Sequence, residues 1–302
     1  MPDHHPRAVT PVLAFALAAA GIGLFSVMDA FMKSLTLALG VYNALIWRTG
    51  TSVLIAGAVW GAAGRPVPSG RALRLHLLRG SITAAMALLF FWGLARVPMA
   101  QAISLAYVAP LLALLLGAWL LGERVGRRVA LASLLALGGV GIILAGHGQL
   151  ALGPDALWGA GAILASAVLY AGNLVVARLQ SQAAVPAEIA FVQSLIVTAI
   201  LLTAAPWLLH LPPAAEWWKI AVGAALGTGS LFLLAWAYAH GETGYLATTE
   251  YTSFVYAAVL GWLVFGERVA ATTLLGAAVI VAACLWGARR GADLPAAVEA
   301  GA

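Results

Sequence analysis

The sequence predicts an all-α integral membrane protein, built from ten transmembrane helices as two inverted five-helix repeats with both termini cytoplasmic. Three observations predict it. Of the 302 residues, 63% are hydrophobic and only 9% are charged, against about 25% charged in a soluble domain. The apolar residues fall into stretches of about 20, the length of a spanning helix. And Leu121-Gly122-Glu123-Arg124-Val125 returns as Phe265-Gly266-Glu267-Arg268-Val269, 144 positions later.

The stretches run roughly over 11–34, 41–63, 72–96, 99–121, 127–145, 155–177, 187–209, 215–240, 243–265 and 271–289. They do not alternate in polarity as the strands of a membrane barrel would. Helices also satisfy every backbone group within one segment, as a lipid surrounding demands. The first stretch follows Arg7 as a signal peptide would. It is long, lacks a clear cleavage site and has a counterpart in span 6, so it reads as a retained helix.

The same offset of 144 places Tyr107 on Tyr251, Trp92 on Trp236 and Asp29 on Asn173. One offset at so many points marks a duplication, which gives repeats over 1–145 and 155–290 and a mobile cytoplasmic tail over 291–302. Five spans per repeat put the second copy into the bilayer upside down. Charge supports this reading. Arg7, Arg65, Arg71, Arg74, Arg79, Arg124, Arg127, Arg128, Arg178, Arg289 and Arg290 fall on one side. Only Lys33, Arg96, Lys219 and Arg268 fall on the other. Basic loops stay cytoplasmic. The net charge of +5 therefore reflects topology and is no nucleic-acid signal.

Span 1 carries Asp29 and Lys33 near its outer end, four residues apart on one face. They read as an interfacial ion pair with Lys33 reaching outward. Span 2 carries Asn43 and Trp47 on one face, and Arg48 about 10 Å below the start of the span at 1.5 Å per residue. A charge at that depth calls for a named partner. Asp29, about as deep from the same side, is that partner in an intramembrane charge pair. In the second repeat Asn173 matches Asp29. With one residue of slippage, Gln193 matches Arg48 and Glu188 matches Asn43.

After a Pro/Gly-rich loop, the basic segment 71–79 leads into span 3, which ends in Trp92 and Arg96. Span 4 holds Gln101, Ser104, Tyr107 and Pro110. The proline removes a backbone hydrogen bond and kinks the helix, a candidate hinge. Gly122 suits a left-handed helix cap, and Glu123 suits the start of the next helix, so the Gly-Glu-Arg motif reads as capping chemistry. Span 5 is glycine-rich and suited to close helix packing. In the second repeat, span 8 centres on Gly227-Thr228-Gly229-Ser230, further flex points. Span 9 is the most polar, with Thr249, Glu250 and Tyr251. Apolar surroundings disfavour a charged carboxylate, which makes Glu250 a candidate proton carrier. Span 10 is bland. Its Cys284 is the chain's single cysteine, so no internal disulfide forms, and it reads as an apolar filler.

Ten spans in five-span inverted halves, with Gly-Glu-Arg after the fourth and ninth, resemble the drug/metabolite transporter superfamily and its EamA-type exporters. Within them the chain looks most like bacterial exporters of aromatic and other neutral amino acids, of the YddG kind. The resemblance covers residues 11–290. It implies a monomer in the bacterial inner membrane, exporting by alternating access, with spans 1–4 and 6–9 around a central cavity and spans 5 and 10 outside. A zwitterionic substrate needs partners for both ends, and Asn43, Gln101, Ser104, Tyr107, Asn173, Gln193, Thr249 and Tyr251 can supply them. Trp47, Trp92 and Trp236 are the candidate walls for an aromatic side chain, since most other tryptophans lie at span ends as an interfacial belt. Drugs, nucleobases or other metabolites are the competing cargo. An intramembrane enzyme is the distant alternative; the six histidines are scattered, and no His-Glu-x-x-His occurs. No catalytic centre, metal or cofactor is expected.

Overall fold

The computed structural model describes residues 11–64, 67–120, 127–146, 155–240 and 246–288. They are helical, and no strand occurs among them. The elements are α1 (Pro11–Ala62), α2 (Gly70–Leu94), α3 (Met99–Ala106), α4 (Ala109–Leu120), α5 (Arg127–Ala145), α6 (Asp155–Ser181), α7 (Pro186–Leu202), α8 (Ala205–Leu208), α9 (Trp217–His240), α10 (Thr252–Phe265) and α11 (Ala271–Ala288). Two 3₁₀ turns, Ala214–Glu216 and Ala247–Tyr251, precede α9 and α10. By length and composition, four helices among the described residues suffice to cross a bilayer: Val12–Ala62, Gly70–Leu94, Asp155–Ala177 and Ala214–Ala237. Shorter apolar helices accompany them. This is an all-helical membrane protein.

α1 is two helices joined at Gly40, whose φ of 78° and ψ of 155° lie in a region open essentially to glycine alone. Along one straight helix Asp29 and Arg48 would stand about 28 Å apart at 1.5 Å per residue. Instead the two side chains interact electrostatically, so the chain reverses at Gly40. The expected boundary between spans 1 and 2, 34 to 41, falls on that reversal.

The chain forms two compact units, each drawing on both halves of the sequence. The first takes residues 1–84 and 180–267, the second 85–179 and 268–302. In the first unit α1 packs on α9, α7 and α10. Trp60 stacks on Phe191 with centroids 4.7 Å apart, and the Tyr42 hydroxyl donates to the Leu201 carbonyl at 2.7 Å. In the second unit α5 packs on α11, and of the span 5 glycines Gly139 makes the close approach, to Gly276 of α11. A Cβ built on Gly139 would stand 2.8 Å from the Gly276 carbonyl oxygen, and one on Gly276 2.6 Å from that of Gly139.

The expected span 4 is interrupted. α3 ends at Ala106 and α4 begins at Ala109, so the break at Tyr107–Val108 precedes Pro110, which sits in the first turn of α4. Proline cannot bond back to the carbonyl four residues earlier and collides with it, so the disruption falls on the residues before it. Span 9 changes from 3₁₀ to α-helix at Tyr251–Thr252. Tyr107 and Tyr251, matched by the offset of 144, thus both stand at a change of helix geometry. Span 8, by contrast, runs unbroken through Gly227 and Gly229 as α9.

Candidate functional site

In the first unit, Asp29 and Arg48 sit on the two arms of α1, as the sequence pairing required. Asp29 is 4% exposed, while Arg48 is partly buried. Their charges interact, yet they do not close into an ion pair. The ion pairs among the described residues are Lys33–Glu267 and Lys219–Glu216, and His76 meets Glu188 through a hydrogen bond. Asp29 Oδ1 and Arg48 Nε are buried without a hydrogen-bond partner. Each such atom costs about 1–3 kcal/mol, more when charged. α9 supplies a neighbour: a Cβ on Gly227 would lie 3.6 Å from Arg48 Nη1 and 3.7 Å from Met28 Cγ.

Asn43 and Trp47 share a face as expected, but that face is engaged by backbone. Asn43 Nδ2 donates to the Leu208 carbonyl at 3.1 Å and its Oδ1 accepts from the His210 N–H at 2.9 Å. Trp47 Nε1 donates to the His210 carbonyl at 2.9 Å, and its ring meets Trp217 edge-on at 5.0 Å. These two residues hold the connection after α8 in place.

The expected Asp29–Lys33 pair does not form. Lys33, 4% exposed, is paired with Glu267 and lies 5.2 Å from the centroid of the Phe265 ring. The second Gly-Glu-Arg copy is a helix cap, as expected. Gly266 takes φ 65°, and the N–H groups of Gly266 and Glu267 close on the Trp262 and Gly261 carbonyls at 3.0 Å each. Its glutamate side chain neutralises the buried lysine. The first copy, 122–124, lies outside the described residues, as does the 291–302 tail.

A polar cluster in the same unit was not anticipated. Arg79 Nη1 donates to Gln180 Oε1 at 2.5 Å, Gln180 Nε2 faces His76 Nδ1 at 2.6 Å, and His76 Nε2 faces Glu188 Oε1 at 2.9 Å. Arginine only donates, so it fixes which end of the Gln180 amide is oxygen. The amide nitrogen then donates to Nδ1, and His76 must be the neutral tautomer that donates from Nε2 to Glu188. His76 and Gln180 are fully buried and Glu188 is 4% exposed. One polar chain thus joins α2 to the end of α6 and the start of α7. No spacing signal links a histidine to partners more than a hundred residues away.

The remaining first-unit candidates are dispersed. Gln193 Nε2 donates to Thr83 Oγ1 at 3.0 Å. Thr249, fully buried, donates to the Leu246 carbonyl at 2.6 Å. Glu250 and Tyr251, both partly buried, lie in the 3₁₀ turn before α10. Trp236 is 37% exposed and stacks on His240 at 4.3 Å.

The second unit carries its own set. Gln101, Ser104 and Tyr107 are buried on or just after α3, and Asn173 is buried on α6. Ser104 Oγ donates to the Ala100 carbonyl at 2.7 Å. Trp92 offers no bare face on one side, because the Arg96 guanidinium lies 3.6 Å from its ring centroid. Cys284 is more than a filler: its Sγ lies 3.3 Å from the Tyr107 carbonyl, at the helix break. Among the described residues no cluster of three or more His, Cys, Asp or Glu could hold a metal ion.

Comparison with known proteins places this arrangement. The model of the EamA-like transporter family matches residues 10–145 and 157–287. The pseudopaline exporter CntI of Pseudomonas aeruginosa, from strains UCBPP-PA14 and PAO1, is 30% identical over 266 residues, covering 86% of this chain and 90% of theirs. A solved crystal structure is similar at a TM-score of 0.61 and 20% identity, over 95% of this chain and 100% of that one. That is a likeness of fold alone. The curated relatives are named for pseudopaline, so the narrower likeness to aromatic amino-acid exporters gains no support from them.

Proposed function

Since the chain belongs to the EamA-like transporter family, and is a membrane transporter rather than an enzyme, we propose that it exports a small polar metabolite across the bacterial inner membrane. The reading takes ten spans in two inverted repeats over 1–145 and 155–290, with both termini cytoplasmic and a single chain as the working unit. Access to the substrate alternates between the two sides. The CntI relatives support the outward direction.

One observation carries the reading. A chain with 9% charged residues keeps a carboxylate and a guanidinium deep in one unit with their hydrogen bonding incomplete. Intramembrane ionisable groups of this kind mark substrate or ion paths. Amino acids or molecules built from them are the favoured cargo, because they carry both complementary charges. Drugs and nucleobases carry no such demand. Of the remaining candidates, Asn43, Trp47 and Thr249 already spend their polar groups on backbone, so they frame the path rather than bind cargo. Glu250 is the proposed proton carrier, and Pro110 the proposed hinge.

Counterflow in liposomes tests the proposal. Labelled phenylalanine and threonine should accumulate against the unlabelled internal compound, and an imposed pH gradient should change the rate. Counterflow of neither amino acid, from protein shown to be folded, would move the cargo to pseudopaline-like or drug-like compounds.

A further inference from the structure

We infer that Asp29 and Arg48 are the two halves of a receptor for a zwitterionic ligand, with the ligand carboxylate on the Arg48 guanidinium and its ammonium on the Asp29 carboxylate. The inference deepens the transport reading above and rests on it for calling the ligand a substrate.

An ion pair whose work is only to lock two helices closes, because buried opposite charges gain most from direct, hydrogen-bonded contact. Asp29 and Arg48 sense each other but stay open, and each keeps a buried atom, Oδ1 and Nε, with nothing bonded to it. Polar side chains close in sequence to Asp29, Arg48 and Gly227 are bonded elsewhere. Ser26 and Thr49 donate to carbonyls of their own helix. Thr228 donates to Ala224 and Ser230 to Gly21. With these groups spent, a ligand is what completes the two charges. Arg48 as a whole is partly buried, with its Nε buried. Gly227 adds no side chain beside it.

The chemistry selects the class. The planar guanidinium takes a carboxylate in two parallel hydrogen bonds, which an ammonium such as lysine cannot do. The aspartate accepts from an ammonium. A molecule with both groups on one carbon bridges the open pair and leaves no net charge behind. An amine alone or an acid alone leaves one protein charge uncompensated.

Thermal unfolding of the purified full chain in detergent tests this with phenylalanine and histidine, against phenethylamine and phenylpropionate. The zwitterions are expected to raise the unfolding midpoint, and the single-charge analogues to require at least about tenfold more ligand for half the effect, about 1.4 kcal/mol. Arg48→Gln should abolish protection by every carboxylate. Asp29→Asn should remove the advantage of the zwitterion over phenylpropionate. Arg48→Lys should restore part of the protection lost in Arg48→Gln. Gly227→Ala leaves both charges in place and sets a methyl at ordinary contact distance from the guanidinium, and it should weaken binding about tenfold. The last two variants carry the test if Arg48→Gln does not fold. Equal protection by phenethylamine and phenylalanine, or full protection in Arg48→Gln, overturns the receptor. So does counterflow of an uncharged cargo by protein that no zwitterion protects, and that result leaves the transport function standing. A folded chain that moves no cargo of any class overturns the transport function instead.

Discussion

Lys33 and Glu267 form an ion pair across 234 residues of sequence. It ties the first arm of α1 to the cap of α10, one turn of helix from Asp29. Removing one partner strands a charge where little water reaches, a loss of about 3–5 kcal/mol, whereas replacing both with apolar groups is often close to neutral. Lys33→Met/Glu267→Met should therefore be more stable than Glu267→Gln alone, by denaturant unfolding in detergent. Additive losses in the double variant would contradict the pairing.

The His76 cluster should behave as one unit. His76→Ala leaves the Glu188 carboxylate and the Gln180 amide buried without their shared partner, so a loss of about 1–3 kcal/mol for each stranded group is expected, the carboxylate at the upper end. In a His76→Ala background, Glu188→Ala should then cost far less than it does in the wild type. Equal costs in both backgrounds would show that the imidazole does not hold the glutamate.

Gly40→Ala isolates backbone conformation from packing. A Cβ at this position meets nothing within 4 Å, so no clash enters. The φ of 78° with ψ of 155° should alone cost about 1–3 kcal/mol. A variant as stable as the wild type would mean that the chain reverses without that conformation.

Glu250→Gln should flatten the pH dependence of counterflow while leaving exchange at a fixed pH in place. The basis is the position of the carboxyl in the 3₁₀ turn that opens span 9, a geometry often found at hinges. Wild-type rates at every pH would remove Glu250 from the coupling.

What the sequence could reveal depended on the kind of signal. The reversal near residue 40 was legible as the gap between two apolar stretches, and the nearness of Asp29 to Arg48 and the cap at Gly266 follow from an isolated deep charge and a repeated motif. Lys33 was assigned to Asp29 because helical spacing made that neighbour visible, and Glu267 lay out of reach of any spacing rule. Asn43 and Trp47 were placed on one face correctly, but their partners are carbonyl and amide groups of Leu208 and His210. Backbone acceptors have no letter in a sequence. The break in span 4 was traced to Pro110, and it falls on the residues before it because the proline acts backwards along the chain.

The tether of Asn43 and Trp47 to Leu208 and His210 turns the connection after α8 into a strap of set length. Three hydrogen bonds read its register from one helix face. One inserted residue between 208 and 210 would carry an acceptor about 3.3–3.6 Å out of reach, farther than these bonds can stretch. Most loops absorb insertions. This one should tolerate changes of side chain at Leu209 and reject changes in the number of residues.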